Sequence, residues 1–596
     1  MHPVAPPLFL GFLLCTGAFV LANGPTAAQR FAEFLAQDWE RQMRESPTWA
    51  SSLGTGPARA AARRYNDRWE DLSLPAIEQR HRADLASIDA LQSIPRDQLP
   101  PGDRLNYDLF LRMRATDVAE HALGLWLGTP VDGYRGLPAS VLGVPQTLRF
   151  ETEQDYRDWL ARLESMPALI EQYRGILQEG VRRKITQPRM VAARIPDRIG
   201  DLLGDDPTQS PFYEPFKRLP ASIDAATREQ LRDAVAVVIR DRVNPAWRGI
   251  ARYIEAEYLP AARDEVGLWA IAGGEAAYAF LVRKFTTVDD LTPEQVHQIG
   301  LEEVARIRGR MEAVKEKVGF RGTLREFLDH LRTDPKFFYQ QGEELLKSTQ
   351  ALAKGRIDPL LPKLFRRMPR TGYGLRAIPA ATAPLQPAGY YLPPAEDGSR
   401  GGYYYVNTYA PASRPKWAMT ALSLHEAVPG HHFQVALAME MTDRPNFRRH
   451  LGFGAYTEGW ALYAEHLGYE LGLYDDPYNE MGALTFEMWR AIRLVVDTGI
   501  HHKRWTRQQA IDYFMENGSQ TLLDIETEVD RYITWPGQAL GYKIGEIRIK
   551  ALRAKAEREL GERFDLKEFH DVVLSPGAVP LDVLERIVNE WIASRR

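Results

Sequence analysis

The sequence predicts a mainly α-helical protein, a large helical body with one small β-sheet inserted late in the chain. Three observations carry this. Apolar and charged residues alternate at helical spacing through 29–120, 150–180 and 222–260, as in Gln29–Trp39 and Arg80–Leu91. Helix starts are well marked. Thr292-Pro293-Glu294-Gln295 combines a capping threonine, a proline in the first turn and a glutamine able to reach back to the cap, and Thr506 with Gln509 and Asp565 with Glu568 repeat the logic. Residues 369–415 break the pattern, with prolines at 369, 379, 384, 387, 393, 394, 411 and 415 and few helix formers. Within them Tyr373–Ile378, Gly389–Leu392 and Tyr403–Tyr409 read as short strands, a sheet near 371–409.

Taken in order, the chain opens on a leader, residues 1–28. Leu8–Ala22 is apolar, as long as a signal-peptide core and short for a membrane span. Val20-Leu21-Ala22 and Thr26-Ala27-Ala28 are candidate cleavage sites, although Met1-His2-Pro3 carries no Lys or Arg. The only cysteine is Cys15, and Phe12-Leu13-Leu14 before it lacks the small residues of a lipoprotein signal. The expectation is an exported protein, periplasmic or extracellular, with no disulfide or thiol ligand after cleavage. The alternative is a chain tethered by an uncleaved leader. Residues 29–290 read as an N-terminal helical lobe and 291–596 as a second lobe, the two forming one continuous body. With 44% hydrophobic and 26% charged residues over 596 positions, the profile is globular. A net charge of −4, with no basic run interleaved with aromatics, argues against nucleic acid as a partner. No later stretch is long and apolar enough to enter a membrane.

The second lobe holds the chemistry. Residues 424–434 read Leu-His-Glu-Ala-Val-Pro-Gly-His-His-Phe-Gln. In the zinc-hydrolase motif H-E-x-x-H, two histidines at i and i+4 share a helix face and the glutamate is the general base. Here the second histidine is late. His431, at i+6, turns about 240° away from His425 on a regular helix, and His432, at i+7, faces back but lies roughly 10 Å along the axis. Neither pair can share one ion in an unbroken helix. Pro429 cannot donate to the carbonyl of His425, and Gly430 accepts unusual dihedrals. The expected outcome is an interrupted helix that swings His431 back to the i+4 place, with His432 the alternative. Glu426 then stands ready to take a proton from a water activated by the metal.

Seven of the 13 histidines fall between 425 and 502, and a zinc site of this type needs a third protein ligand. Glu458 supplies it, because a carboxylate among Tyr456, Trp460 and Leu462 needs compensation; the alternative is a first-turn acid favoured by the helix dipole. Glu465, two turns on, supports the ligands, and His450 and His466 read as structural. In Asp497-Thr498-Gly499-Ile500-His501-His502, His501 can stabilise an oxyanion or simply pack. In 531–543, Pro536-Gly537 makes a turn, after which Gln538, Tyr542 and Lys543 open a helix; with Tyr532 they are candidate substrate contacts, and Tyr542 a candidate oxyanion donor. Tyr542 is equally a core aromatic. The strand Gly402–Asn407, with Tyr405 and Asn407, can pair with an extended peptide or be an ordinary sheet edge. There is no G-x-S-x-G, G-x-x-x-x-G-K-[ST] or strand-linked G-x-G-x-x-G.

The His-Glu-x-x-Pro-Gly-His-His hallmark at 425–432 resembles the bacterial domain-of-unknown-function family 885. Thr286 to Glu294, Gly300 to Val304, Tyr456 to Tyr463, Pro536 to Leu540, Tyr542 to Gly545 and Pro580 to Leu584 extend the resemblance over nearly everything after the leader. It implies a helical body like that of thimet oligopeptidase and the thermostable carboxypeptidases, with a deep cleft over zinc, and peptidase chemistry. The expectation is a zinc hydrolase of short peptides, with His425, His431 and Glu458 on the metal. The alternatives are a zinc amidase or esterase on a non-peptide substrate, and a non-catalytic peptide-binding protein of the envelope.

Overall fold

The computed structural model describes residues 25–53, 64–132, 135–380, 383, 386–394 and 401–596. The apolar leader segment, Cys15 and the Val20-Leu21-Ala22 site lie outside them. Helices hold 71% of the protein, and the strands form one small sheet, as the sequence predicts. The principal helices are α1 (Ala27–Glu45), α2 (Leu74–Gln92), α3 (Pro101–Leu123), α4 (Glu153–Arg183), α5 (Gly274–Thr286) and α6 (Pro293–Lys317). After the strands β1 (Tyr373–Ala377), β2 (Gly389–Leu392) and β3 (Gly402–Val406) come α7 (Met419–Glu426), α8 (His431–Met439) and α9 (Gly454–Leu467). The chain ends with α10 (Pro477–His501), α11 (Arg507–Asn517), α12 (Leu522–Thr534), α13 (Leu540–Leu560), α14 (Leu566–Leu574) and α15 (Leu581–Arg595). None of the described helices is long and apolar enough to cross a membrane.

The caps form as expected at Thr292 and Thr506, each closing a reciprocal box with the glutamine three residues on. Asp565 also caps, taking the amides of Lys567 and Glu568, but Glu568 does not reach back. Its carboxylate accepts from Trp591 Nε1 at 2.9 Å and Arg595 Nε at 2.8 Å, tying α14 to α15 instead. Thr26 caps α1 and Ala27 is buried, so the ordered fold starts ahead of residue 28.

The hydrophobic cores divide the chain differently from a boundary at 290. One core joins Phe31, Leu35, Leu109 and Phe110 of α1 and α3 to Tyr456, Trp460, Ile544 and Leu584. Residues 131–262 close a core of their own around Trp159, Leu163, Phe212, Trp247 and Tyr258. The N-terminal helices therefore belong with the second half of the chain. Apolar periodicity marks which helices are amphipathic but not which partner each one finds.

The sheet runs β1-β3-β2, with β1 parallel and β2 antiparallel to β3. β3 is thus the central strand, hydrogen-bonded on both sides. It cannot take a peptide as an added strand, and it is not an edge. Side chains alternate along it, so Tyr404 and Val406 turn inward with Met419 and Leu422 of α7 while Tyr405 turns the other way and stacks on Tyr390 at 4.9 Å.

α9 and α13 cross at very close range. A methyl on Gly545 would stand 1.9 Å from the backbone oxygen of Ala455, and one on Gly459 would stand 2.5 Å from Gly545. Only glycine fits, and this contact sets where Glu458 lies. Gly545→Ala is expected to force the helices apart at a cost of about 1–3 kcal/mol. Thermal denaturation should show a lowered midpoint; an unchanged midpoint would mean that the crossing is not a fixed packing contact.

Candidate metal centre

The His-Glu segment is two helices, not one. α7 stops at Glu426 and α8 starts at His431. Between them Ala427 (φ −100°, ψ −104°) and Gly430 (φ −74°, ψ −128°) leave helical geometry, and the Val428-Pro429 peptide is cis. Trp460 of α9 donates to the carbonyl of Pro429 at 2.8 Å, fastening the break to the neighbouring helix. Gly430 has an ordinary φ. What requires glycine is space, since a Cβ would lie 2.0 Å from the carbonyl oxygen of His425 and 2.4 Å from that of Leu424. The unusual dihedrals expected at Gly430 are present in its ψ, which lies in neither the helical nor the extended range, and the close backbone approach excludes a side chain besides.

The break brings the histidines together. The rings of His425 and His431 lie 4.7 Å apart at 85°, and each Nε2 is 3.5 Å from Oε2 of Glu458. Their ligand atoms all lie within 4.8 Å of one another. His432 faces elsewhere, bonded to Tyr391 at 3.0 Å and to the carbonyl of Thr371 at 3.0 Å, and burial pushes its pKa down to about 4. Of the two late histidines, His431 is the one that joins His425.

Glu458 sits one turn into α9. Its Oε2 is buried and has no hydrogen-bond partner. Burial alone would raise its carboxyl, but the imidazoles of His431 and His425 more than offset this and hold it well below the usual range. A buried carboxylate oxygen aimed between two imidazole nitrogens, with no donor to satisfy it, fits a cation. Glu465, two turns further along α9, accepts from Nδ1 of His425 at 2.7 Å. That bond directs Nε2 towards Glu458, the arrangement that orients a ligating histidine.

Glu426 follows His425 directly and is half-buried; burial raises its carboxyl, opposed by His425 and His431. Among the charges acting on it is Arg490 of α10, a residue the sequence reading missed. Arg490 is 6% exposed, lies with Nη2 3.7 Å from Glu465, and leaves its Nε without a partner. Arg493, one turn on, is also buried, with Nη1 unpartnered. The available signal was two arginines, 490 and 493, in the otherwise apolar stretch Met488 to Val496, where a cation needs a partner.

Tyr542 is half-buried on the first turn of α13 under the Arg493 guanidinium, 4.5 Å from its ring. Among the described residues its hydroxyl has no partner, so it stays available. Other expected site residues are committed elsewhere. His501 accepts from the amide of Leu268 at 3.0 Å and donates to the carbonyl of Tyr532 at 3.0 Å, so neither ring nitrogen is free for an oxyanion. Lys543 is buried against Glu303, Glu487 and Glu546 at 3.0, 2.8 and 2.5 Å. Tyr532 donates to Glu528 at 2.6 Å and accepts from Arg493 at 3.1 Å. Asn407 donates to the carbonyls of Ala383, Gln386 and Pro387 and accepts from the amide of Tyr409, which makes it a loop clasp. Gln538 accepts from Arg531. Tyr405 lies on the sheet face opposite Tyr404 and the His-Glu helix.

Fold and site together define a class: a mainly helical protein with a cluster of two histidines and one glutamate, able to hold a metal, built on a broken helix. The chain belongs to the family described as bacterial protein of unknown function (DUF885), whose model matches residues 47–588. It is similar to a solved chain from Colwellia psychrerythraea described as a candidate lipoprotein, at 30% identity and TM-score 0.88, covering 96% of this chain and all of that one. A candidate lipoprotein of unknown function from Shewanella oneidensis shares the fold at 19% identity and TM-score 0.71, over 94% of this chain and 99% of that one. Among curated proteins none matches.

Two outcomes are expected. Gly430→Ala should weaken divalent-metal binding about 10- to 100-fold by displacing the carbonyl of His425 and with it the ligand; titration calorimetry at unchanged affinity would show that the close approach is not needed. Lys543→Met should cost about 3–5 kcal/mol by stranding three carboxylates. It should appear as a large drop in thermal stability, and a stable variant altered only in substrate binding would restore Lys543 as a contact.

Proposed function

We propose that the protein is a zinc-dependent hydrolase of short peptides, with His425, His431 and Glu458 holding the ion. The observation that carries this reading is the buried, unpartnered Oε2 of Glu458 at 3.5 Å from both imidazoles. Two nitrogens and one oxygen suit zinc, and three protein ligands leave a coordination position open. Zinc bound there supplies Lewis acidity, polarising a carbonyl and making water a better acid. The remaining work falls to the chain. Glu426 accepts the proton of the attacking water and returns it to the leaving amine, and burial moves its carboxyl in the direction a base working near neutral pH requires. Glu465 keeps His425 in one ring orientation. The Tyr542 hydroxyl is the remaining candidate donor to a developing oxyanion.

The chain is read as exported. The apolar leader and the two candidate lipoproteins among its structural relatives support this, and a tether through the leader is the second form of the same reading.

The test is metal analysis followed by degradation of a peptide library with mass-spectrometric readout. The expected result is about one zinc per chain and cleavage that returns only on reconstitution. Glu426→Gln should keep the zinc and lose about 10²–10⁴-fold in turnover, because an amide cannot take the water proton. A variant with near-normal kcat would sink the base role. Turnover confined to non-peptide amides or esters would point to an amidase or esterase, and bound zinc with no turnover of any kind to a peptide-binding protein.

A further inference from the structure

A second site lies away from the ligand set. A cavity of about 260 Å3 opens between the end of α3, the strands of chain around 185–187 and 533–536, and α5. Its apolar walls are Leu125, Trp126, Ile271, Leu281, Phe285 and Trp535. Three cations line it, and two are neutralised within the protein. Lys284 pairs with Glu120, and Arg135 pairs with Asp132 at 2.6 Å while stacking on Trp535. The third, Arg263, is not. It donates to the carbonyls of Thr186 at 3.0 Å, of Gly267 at 2.9 Å and of Glu265, and no described carboxylate lies within ion-pairing distance. Burial accordingly holds its guanidinium below the usual range, at about 10. A chamber with an apolar wall and one cation that has no carboxylate in ion-pairing contact is complementary to a single negative charge on an apolar body. The volume falls just under the ~300 Å3 at which drug-sized sites begin, which suits a group the size of one residue.

We propose that this cavity binds an apolar carboxylate of about one amino-acid residue, with Arg263 as its counter-charge. On the hydrolase reading, which this extension rests on, the ligand is the C-terminal residue of a peptide. The helix on one side of the cavity is packed against the helices of the ligand set. The carbonyl of Phe285 lies 2.9 Å from where a Cβ of Gly541 would stand, and the amide of Ala455 lies 3.2 Å from the same point, one turn of α9 ahead of Glu458. Helix α5, which lines the cavity, thus packs directly on α13 and on the helix that carries Glu458.

The experiment is calorimetric titration of the full-length, metal-stripped protein with N-acetylphenylalanine and with its C-terminal amide. The acid should bind at least 10-fold more tightly than the amide. Arg263→Gln should abolish that preference, and Leu125→Trp, which fills the cavity and keeps the arginine, should abolish binding of both with the thermal midpoint retained. Should Arg263→Gln fail to fold, the acid-against-amide contrast and the filled cavity still decide. Equal binding of acid and amide, no binding of either at millimolar concentration, or binding that survives Leu125→Trp would overturn the proposal. Because zinc is absent, this result is separate from turnover. A peptide hydrolase without the acid preference loses the site, and an acid preference in a protein with no turnover keeps the site and loses the hydrolase.

Discussion

A carboxylate held between two imidazoles inside a helical core is the constraint around which the second half of this protein is arranged. Like-facing polar groups at that depth are expensive unless each one is satisfied. The protein satisfies several of them. Glu465 takes the proton of His425 Nδ1, Trp460 pins the carbonyl of Pro429, and the tyrosine hydroxyl of Tyr474 takes the carbonyl of Glu465. Oε2 of Glu458 is left over between the two imidazoles, and the Nε of Arg490, beside Glu465, is left over with it. The glycine-to-glycine crossing of α9 and α13 and the close backbone approach at Gly430 serve this arrangement. Each trades side-chain bulk for position.

Much of this was legible in the sequence because it is local. A proline and a glycine inside the gap of a His-Glu helix predict a break, and arithmetic on helical rise shows that the break must bring a histidine back. The acid at 458 was legible because its neighbours are apolar. The strands at 373–377 and 389–392 fell where proline and tyrosine content put them. The order of strands was not legible, since Gly402–Val406 carries the same tyrosine-rich pattern whether it lies at the edge or in the centre. Here it lies in the centre.

The failures share a cause. His501, Lys543, Tyr532 and Asn407 look reactive in a one-dimensional reading, and each turns out to be consumed by partners, those of His501 and Lys543 mostly far away in sequence. Leu268 lies 233 residues from His501, and Glu303, Glu487 and Glu546 converge on Lys543 from two other helices and its own. The same blindness hid Arg490. Its importance comes from lying beside Glu465 and within reach of Glu426, and nothing adjacent in sequence says so. Saturation by distant partners is what separates a structural polar group from a working one, and it is invisible until the chain closes.

The way the cores are shared sets the order in which this chain can become a protein. α1 and α3 bury Phe31 and Phe110 against residues beyond 420, Phe110 meets Phe447 edge-on at 5.6 Å, and Arg112 reaches Asp582 across 470 residues. During synthesis those faces stay uncovered until nearly the last helix has left the ribosome, while residues 131–262 can already close on themselves. Pairing over so long a separation is slow. The first helices to be made are therefore among the last to find their core, and their apolar faces wait on the last third of the chain.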